Sequence, residues 1–124
     1  MIRNTIQFFK NIWRFRKVLW YYRTWDYTFQ LQIFRESLIH LQDSVKNGIE
    51  VEEDKLAKVK AMQRCIDILN NQIEDNYFDQ YTLSDINVEL VKKVTEIEEN
   101  EWNELWDIIK GNDTPGSDMR GWWT

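Results

Sequence analysis

The sequence predicts an all-α protein: a helical bundle of about four main helices followed by an extended C-terminal tail. Apolar residues recur at three- and four-residue spacing over long stretches, with no competing strand alternation. Among 124 residues there is one proline, and three of the four glycines fall between Gly111 and Gly121, so the elements before them run long and unbroken. Charged residues make up 30% and hydrophobic residues 43%, a balance that can build a core. A chain of this length buries roughly two-thirds of its unfolded surface, enough for one core without staples. Residues 1–111 are therefore read as one helical domain and residues 112–124 as a tail.

The first helix is expected from Ile2 to about Tyr22. At about 100° per residue, Ile2, Ile6, Phe9, Trp13 and Trp20 form one stripe, and Phe8, Ile12, Phe15, Leu19 and Tyr22 form a second beside it. Arg3, Lys10, Arg14 and Lys17 lie on another side. The two stripes cover about half the circumference, which predicts core packing against more than one neighbour. Arg16 falls inside the apolar sector, either as a rim residue whose charge reaches water or as a buried contact for an anion. Residues 23–26 read as a break, with Thr24 or Asp26 capping the next helix.

The second helix is expected from about Tyr27 to Lys46, with Tyr27, Leu31, Phe34, Leu38, Leu41 and Val45 on its buried face. Asn47-Gly48 ends it, both residues tolerating the left-handed conformation. The third starts near Val51 to Glu53, where Glu52, Glu53 and Asp54 suit a positive helix end. Leu56, Val59, Met62, Ile66, Leu69 and Ile73 make its stripe, and it weakens around Asn76 to Gln80. Thr82 with Asp85 resembles a capping box and starts the fourth helix. Its buried side is Ile86, Leu90, Val94, Ile97, Trp102, Leu105 and Ile109, and Gly111 closes it.

Catalytic and metal chemistry find few members. His40 is the only histidine and Cys65 the only cysteine, so neither a Ser-His-Asp arrangement nor a cysteine zinc site has enough ligands. Glu36 and His40 share a helix face, but a di-metal carboxylate site needs two Glu-x-x-His units. Cys65 reads as a small core residue. No glycine-rich phosphate loop is present. The acidic run from Glu96 to Glu104 lacks a glycine-pivoted loop and reads as a solvated helix face rather than a calcium site. No enzyme, metal or cofactor is expected. The arginines and lysines that interrupt the N-terminal run argue against a signal peptide, and no apolar stretch approaches the ~20 residues of a membrane span. One cysteine fits a reducing cytoplasm.

Charge and rings are concentrated at one end. Residues 1–40 hold seven Lys/Arg and two acids, a net +5, whereas residues 41–124 hold nine against nineteen, a net −10. The two regions attract each other, within the fold or between subunits. General DNA binding is disfavoured, because an acidic body repels a long polyanion. Residues 5–34 carry eleven of the eighteen aromatics. Cations beside rings suit a nucleotide-type ligand, phosphate meeting Arg14, Arg16, Lys17 and Arg23 while bases stack on Trp20, Tyr21, Trp25 and Tyr27. Trp122 and Trp123 read as a docking anchor for the tail or as a lid over that pocket. The angular count narrows the candidate site to the break, Trp20 to Tyr27, with Arg16. A membrane interface also pairs Trp and Tyr with cations, but the many helix partners needed by so wide an apolar sector argue against a free surface helix. The competing expectation is a structural or protein-interaction module whose aromatic first helix is an oligomer seam.

Two short pieces, Trp25-Asp26-Tyr27 opening a long helix and Arg120-Gly121-Trp122-Trp123 closing the chain, together resemble a set of small helical proteins carried by tailed bacteriophages. Thr124 stands where that set has an acidic last residue. The resemblance implies a viral origin and a bacterial cytoplasm, and no activity. Small viral proteins that sequester host immune nucleotides offer an analogy for a non-enzymatic, homo-oligomeric helical protein with cationic and aromatic pockets.

Overall fold

The computed structural model describes residues 1–23, 25–48 and 52–122, with the Glu52 side chain excepted. The chain is all-α. Four helices follow in order, α1 (Ile2–Tyr21), α2 (Tyr27–Lys46), α3 (Glu52–Glu74) and α4 (Val88–Lys110), with short 3₁₀ turns at Leu83–Asp85 and Met119–Gly121. No strand occurs among the described residues. The expected roles of Thr24 as a cap, Val51 as a helix start and Trp123 as an anchor fall outside the described residues.

α3 is the central element, packed between α2 and α4. Its Ala61, Met62, Cys65, Ile66, Ile68 and Leu69 are all buried, and they meet Leu31, Leu38 and Val45 of α2 and Leu105 and Ile108 of α4. Each large apolar side chain in that set contributes about 1.5–3 kcal/mol over its exposed state. The predicted stripes of α2 and α3 run through this core. Their first members do not: Tyr27 and Leu56 are exposed, because each lies in the first turns of its helix, beyond the packed length.

Two buried amides tie the layers. Gln42 of α2 donates to the Val59 carbonyl at 3.1 Å and to Gln63 Oε1 at 3.0 Å. Gln72 of α3 donates to the Glu98 carbonyl at 3.0 Å and to the Tyr77 hydroxyl at 2.8 Å. Both amides are buried, so these bonds replace the water they lose. Arg64 adds a part-exposed ion pair from α3 to Glu104 and Glu101 of α4.

The helix ends refine the expected boundaries. Asp26 caps α2, its Oδ1 accepting from the Thr28 backbone N–H at 3.0 Å and the Thr28 hydroxyl at 2.8 Å. Asn47 has φ −92°, so α2 closes without the expected left-handed residue, through Asn47 N–H to Asp43 and Gly48 N–H to Val45. The Thr82–Asp85 capping box forms, but it caps only the 3₁₀ turn. α4 begins five residues later, where Asn87 accepts from the Leu90 N–H at 2.9 Å. Ile86 therefore lies before the helix and is exposed, and Ile97 is exposed as well, while Ile108 supplies a buried contact that the predicted stripe left out. Gly111 closes α4 with φ 102°.

α1 departs most from expectation. It packs on α2 and makes its contacts near its C-terminal end: Val18 is its one buried residue, at 3% exposure, and Phe15 and Tyr22 lie close to His40 and Phe29. Val18 belongs to neither predicted stripe. Every member of the stripe Ile2, Ile6, Phe9, Trp13 and Trp20 is exposed, as are Phe8, Ile12 and Leu19 of the other. The physical reason is that the core is already closed without them. The tail contributes to that core instead: its Trp122 is 1% exposed, belongs to the cluster and donates its indole N–H to the Gly116 carbonyl at 2.6 Å.

Candidate functional site

The residues expected to bind a ligand are built on α1, the connection after it, the first turn of α2, and the tail. On α1, Arg14, Lys17, Trp20 and Tyr21 are exposed. Arg16 is exposed too, its guanidinium carbon 3.9 Å from the Trp13 ring centroid and Nη1 donating to the Trp13 carbonyl at 2.6 Å. It is the rim arginine of the two alternatives, lying along its own helix with its charge in water. Arg23 donates to the adjacent Tyr22 carbonyl at 2.9 Å, and Trp25 is 81% exposed. Among the described residues none of these cations forms an ion pair.

None of the grooves described below gathers these groups. One groove, of about 520 Å³, is lined by Tyr27, Gln72, Thr95, Glu98, Glu99 and Trp102. Tyr27 is the one expected site residue in it, and its charged walls are carboxylates, which oppose a phosphate. A shallower depression of about 440 Å³ lies on α1 itself, between Ile6, Phe9, Lys10, Trp13 and Arg14. It brings Arg14 beside rings, but one helix alone forms it. A third, about 370 Å³, has Asp79 and Glu101 among its walls. Trp122 is a core side chain and lines none of these grooves, so it anchors the tail on its own bundle.

The remaining titratable groups are structural. Burial pushes the Cys65 thiol up to about 12, with Glu104 adding to it and Arg64 opposing. Burial likewise raises the Tyr77 hydroxyl, and the negative charge of the Glu101 carboxylate adds to that. The Thr82 hydroxyl and N–H hold the Asp85 carboxyl low, and Arg120 does the same for Asp118. His40 is half-buried with its ring 6.2 Å from Phe15. Among the described residues no three His, Cys, Asp or Glu side chains gather in a way that could hold a metal. No described helix is long and apolar enough to cross a membrane.

Two surfaces thus stand out instead of a pocket: the uncovered aromatic face of α1, and the groove where the first half of α4 passes Tyr27. Apolar periodicity alone leaves out Thr95 and assigns Glu98 to a solvated face. Their signal was the spacing of Val88, Val91, Thr95, Glu98 and Trp102, which is 3, 4, 3 and 4 residues. No protein-family model matches the chain, and neither a curated protein nor a solved structure matches it significantly.

Proposed function

We propose that this chain is a non-enzymatic interaction module that associates with further copies of itself, with α1 as the seam. The observation that carries this reading is the exposure of α1's apolar half. Phe9 is 64%, Trp13 67% and Trp20 79% exposed, on a helix whose one extensive contact is with α2. A contiguous apolar face of that size, bordered by charge, marks an interaction surface. Charge supports a second copy as the occupant: α1 carries five cations and no acid, whereas most of the chain's carboxylates lie beyond residue 40. A small helical phage protein acting in a bacterial cytoplasm is the setting consistent with the terminal motifs. The nucleotide-type ligand is the weaker reading, because the rings and cations proposed for it are spread over several surfaces and the groove that Tyr27 lines is acidic.

Native mass spectrometry and light scattering on the full chain test this. An oligomer is expected at micromolar concentration, and the double substitution Phe9→Ser with Trp13→Ser converts it to a monomer of unchanged helix content. A monomer at all concentrations overturns the reading. A saturable rise in melting temperature with any mono-, di- or cyclic nucleotide, lost in Arg23→Ala, would return the ligand to first place.

A further inference from the structure

We infer that α1 of one copy docks along the first half of α4 of another copy, parallel and in one register, with Arg16 opposite Glu98. This rests on the self-association proposed above and specifies its seam.

The spacing on the two helices is the same. On α1, Ile6, Phe9, Trp13, Arg16 and Trp20 are separated by 3, 4, 3 and 4 residues; on α4, Val88, Val91, Thr95, Glu98 and Trp102 are separated by 3, 4, 3 and 4. That alternation keeps one seam facing a partner helix along its length. Side by side and parallel, the layers are Ile6 with Val88, Phe9 with Val91, Trp13 with Thr95, Arg16 with Glu98 and Trp20 with Trp102. Large side chains of α1 meet small ones of α4 in the first three layers, as interdigitation at normal helix spacing requires. The α4 strip is open: Val88, Val91 and Thr95 are exposed, and Thr95, Glu98 and Trp102 line the 520 Å³ groove. It spans fifteen residues, about 21 Å from first to last, within the roughly 30 Å length of α1.

Arg16 decides between occupants. It sits near the middle of the α1 apolar arc, with only its own helix as partner. At a lipid surface that position is the deepest part of the helix, where a guanidinium is costly. Pairing α1 with α1 brings five cations against five with no acid between them. α4 offers seven carboxylates against three lysines, and Glu98, in the matching layer, has no ion pair among the described residues.

Two measurements on the full chain decide it. In the first, Arg16→Glu and Glu98→Arg are made singly and together, and self-association is followed by light scattering. Each single change leaves like charges in one desolvated layer, so the dissociation constant should rise on the order of 100-fold, and the double change should recover most of it. In the second, a Phe9→Cys chain is mixed with a Val91→Cys chain under mild oxidation. Cys65 is fully buried, so the expected product is a crosslinked pair containing one of each. Oligomers that ignore both charge changes and give no such crosslink overturn this seam while leaving self-association standing. A monomer overturns both, and one that co-floats with phosphatidylserine vesicles assigns the α1 face to lipid.

Discussion

Among the described residues of the tail, Trp122 is the one fully buried in the core. It is the largest fully buried residue, and its indole N–H has a partner in the Gly116 carbonyl. Trp122→Ala should cost about 3–5 kcal/mol, read as a fall in the denaturation midpoint with the slope unchanged. Gly116 is tied to the same anchor. Its φ is +80°, and an added Cβ would lie 2.3 Å from the Ala57 carbonyl, so Gly116→Ala should destabilise by strain and by lifting the tail off α3. Cys65 supplies a pH prediction. Its thiol is raised in the folded chain from the ordinary 9.0 to about 12, so folding keeps it protonated. That contribution is full below the unfolded value and is lost as pH rises from about 9 towards 12, because the unfolded thiol ionises first. Stability measured by urea titration should therefore decline across that window and decline less in Cys65→Ala. In the native protein at pH 8 an alkylating reagent should leave Cys65 unmodified, and urea should expose it.

At the scale of the element, α1 separates two properties that periodicity confounds. Its stripes are legible as faces that avoid water, but a 3.6-residue period does not say what covers them. The width of the apolar sector predicts more than one neighbour as the cover; the one extensive contact is with α2. The element's tie to the bundle is Val18, which the stripes left out because it lies on the margin of the cationic side. Substitutions should reflect this. Val18→Asp places an unpaired carboxylate against α2 and should loosen α1, lowering helix content and the melting temperature by several degrees. Phe9→Ser on the open face should change monomer stability by less than about 0.5 kcal/mol. Circular dichroism on the two variants, each compared at a concentration where the chain is monomeric, checks the contrast. α4 shows the opposite case: its amphipathic pattern was readable, but two capping signals stand five residues apart, and only Asn87 opens a helix that reaches α3.

For the molecule as a whole, the helical class and the α2–α3 core were legible because leucines, valines and isoleucines on those helices keep one spacing along their length. The candidate site was not. Arg14, Arg23, Trp25 and Trp122 were grouped by their proximity in sequence or by their chemistry, and the fold separates them: Trp122 is in the core, Trp25 is on a turn, and Arg14 is on an exposed helix. What could be read was the division of charge. Within one copy the cations of α1 and the carboxylates of α4 do not pair, so the field each creates extends into solvent. Salt at physiological strength screens it beyond about 8 Å. It therefore orients copies only at close approach, where the apolar layers can meet.

The buried Trp122 also makes an outlying segment part of the core. Its ring belongs to the same cluster as Leu31, Leu69 and Leu105, so a helical body with the tail lifted away would carry a ring-sized void in that cluster. The connection that holds the ring in place, residues 112–115, is exposed. A protease that cuts there would sever a core side chain from the helices it fills, and an attack on the surface would be felt as a loss of packing inside.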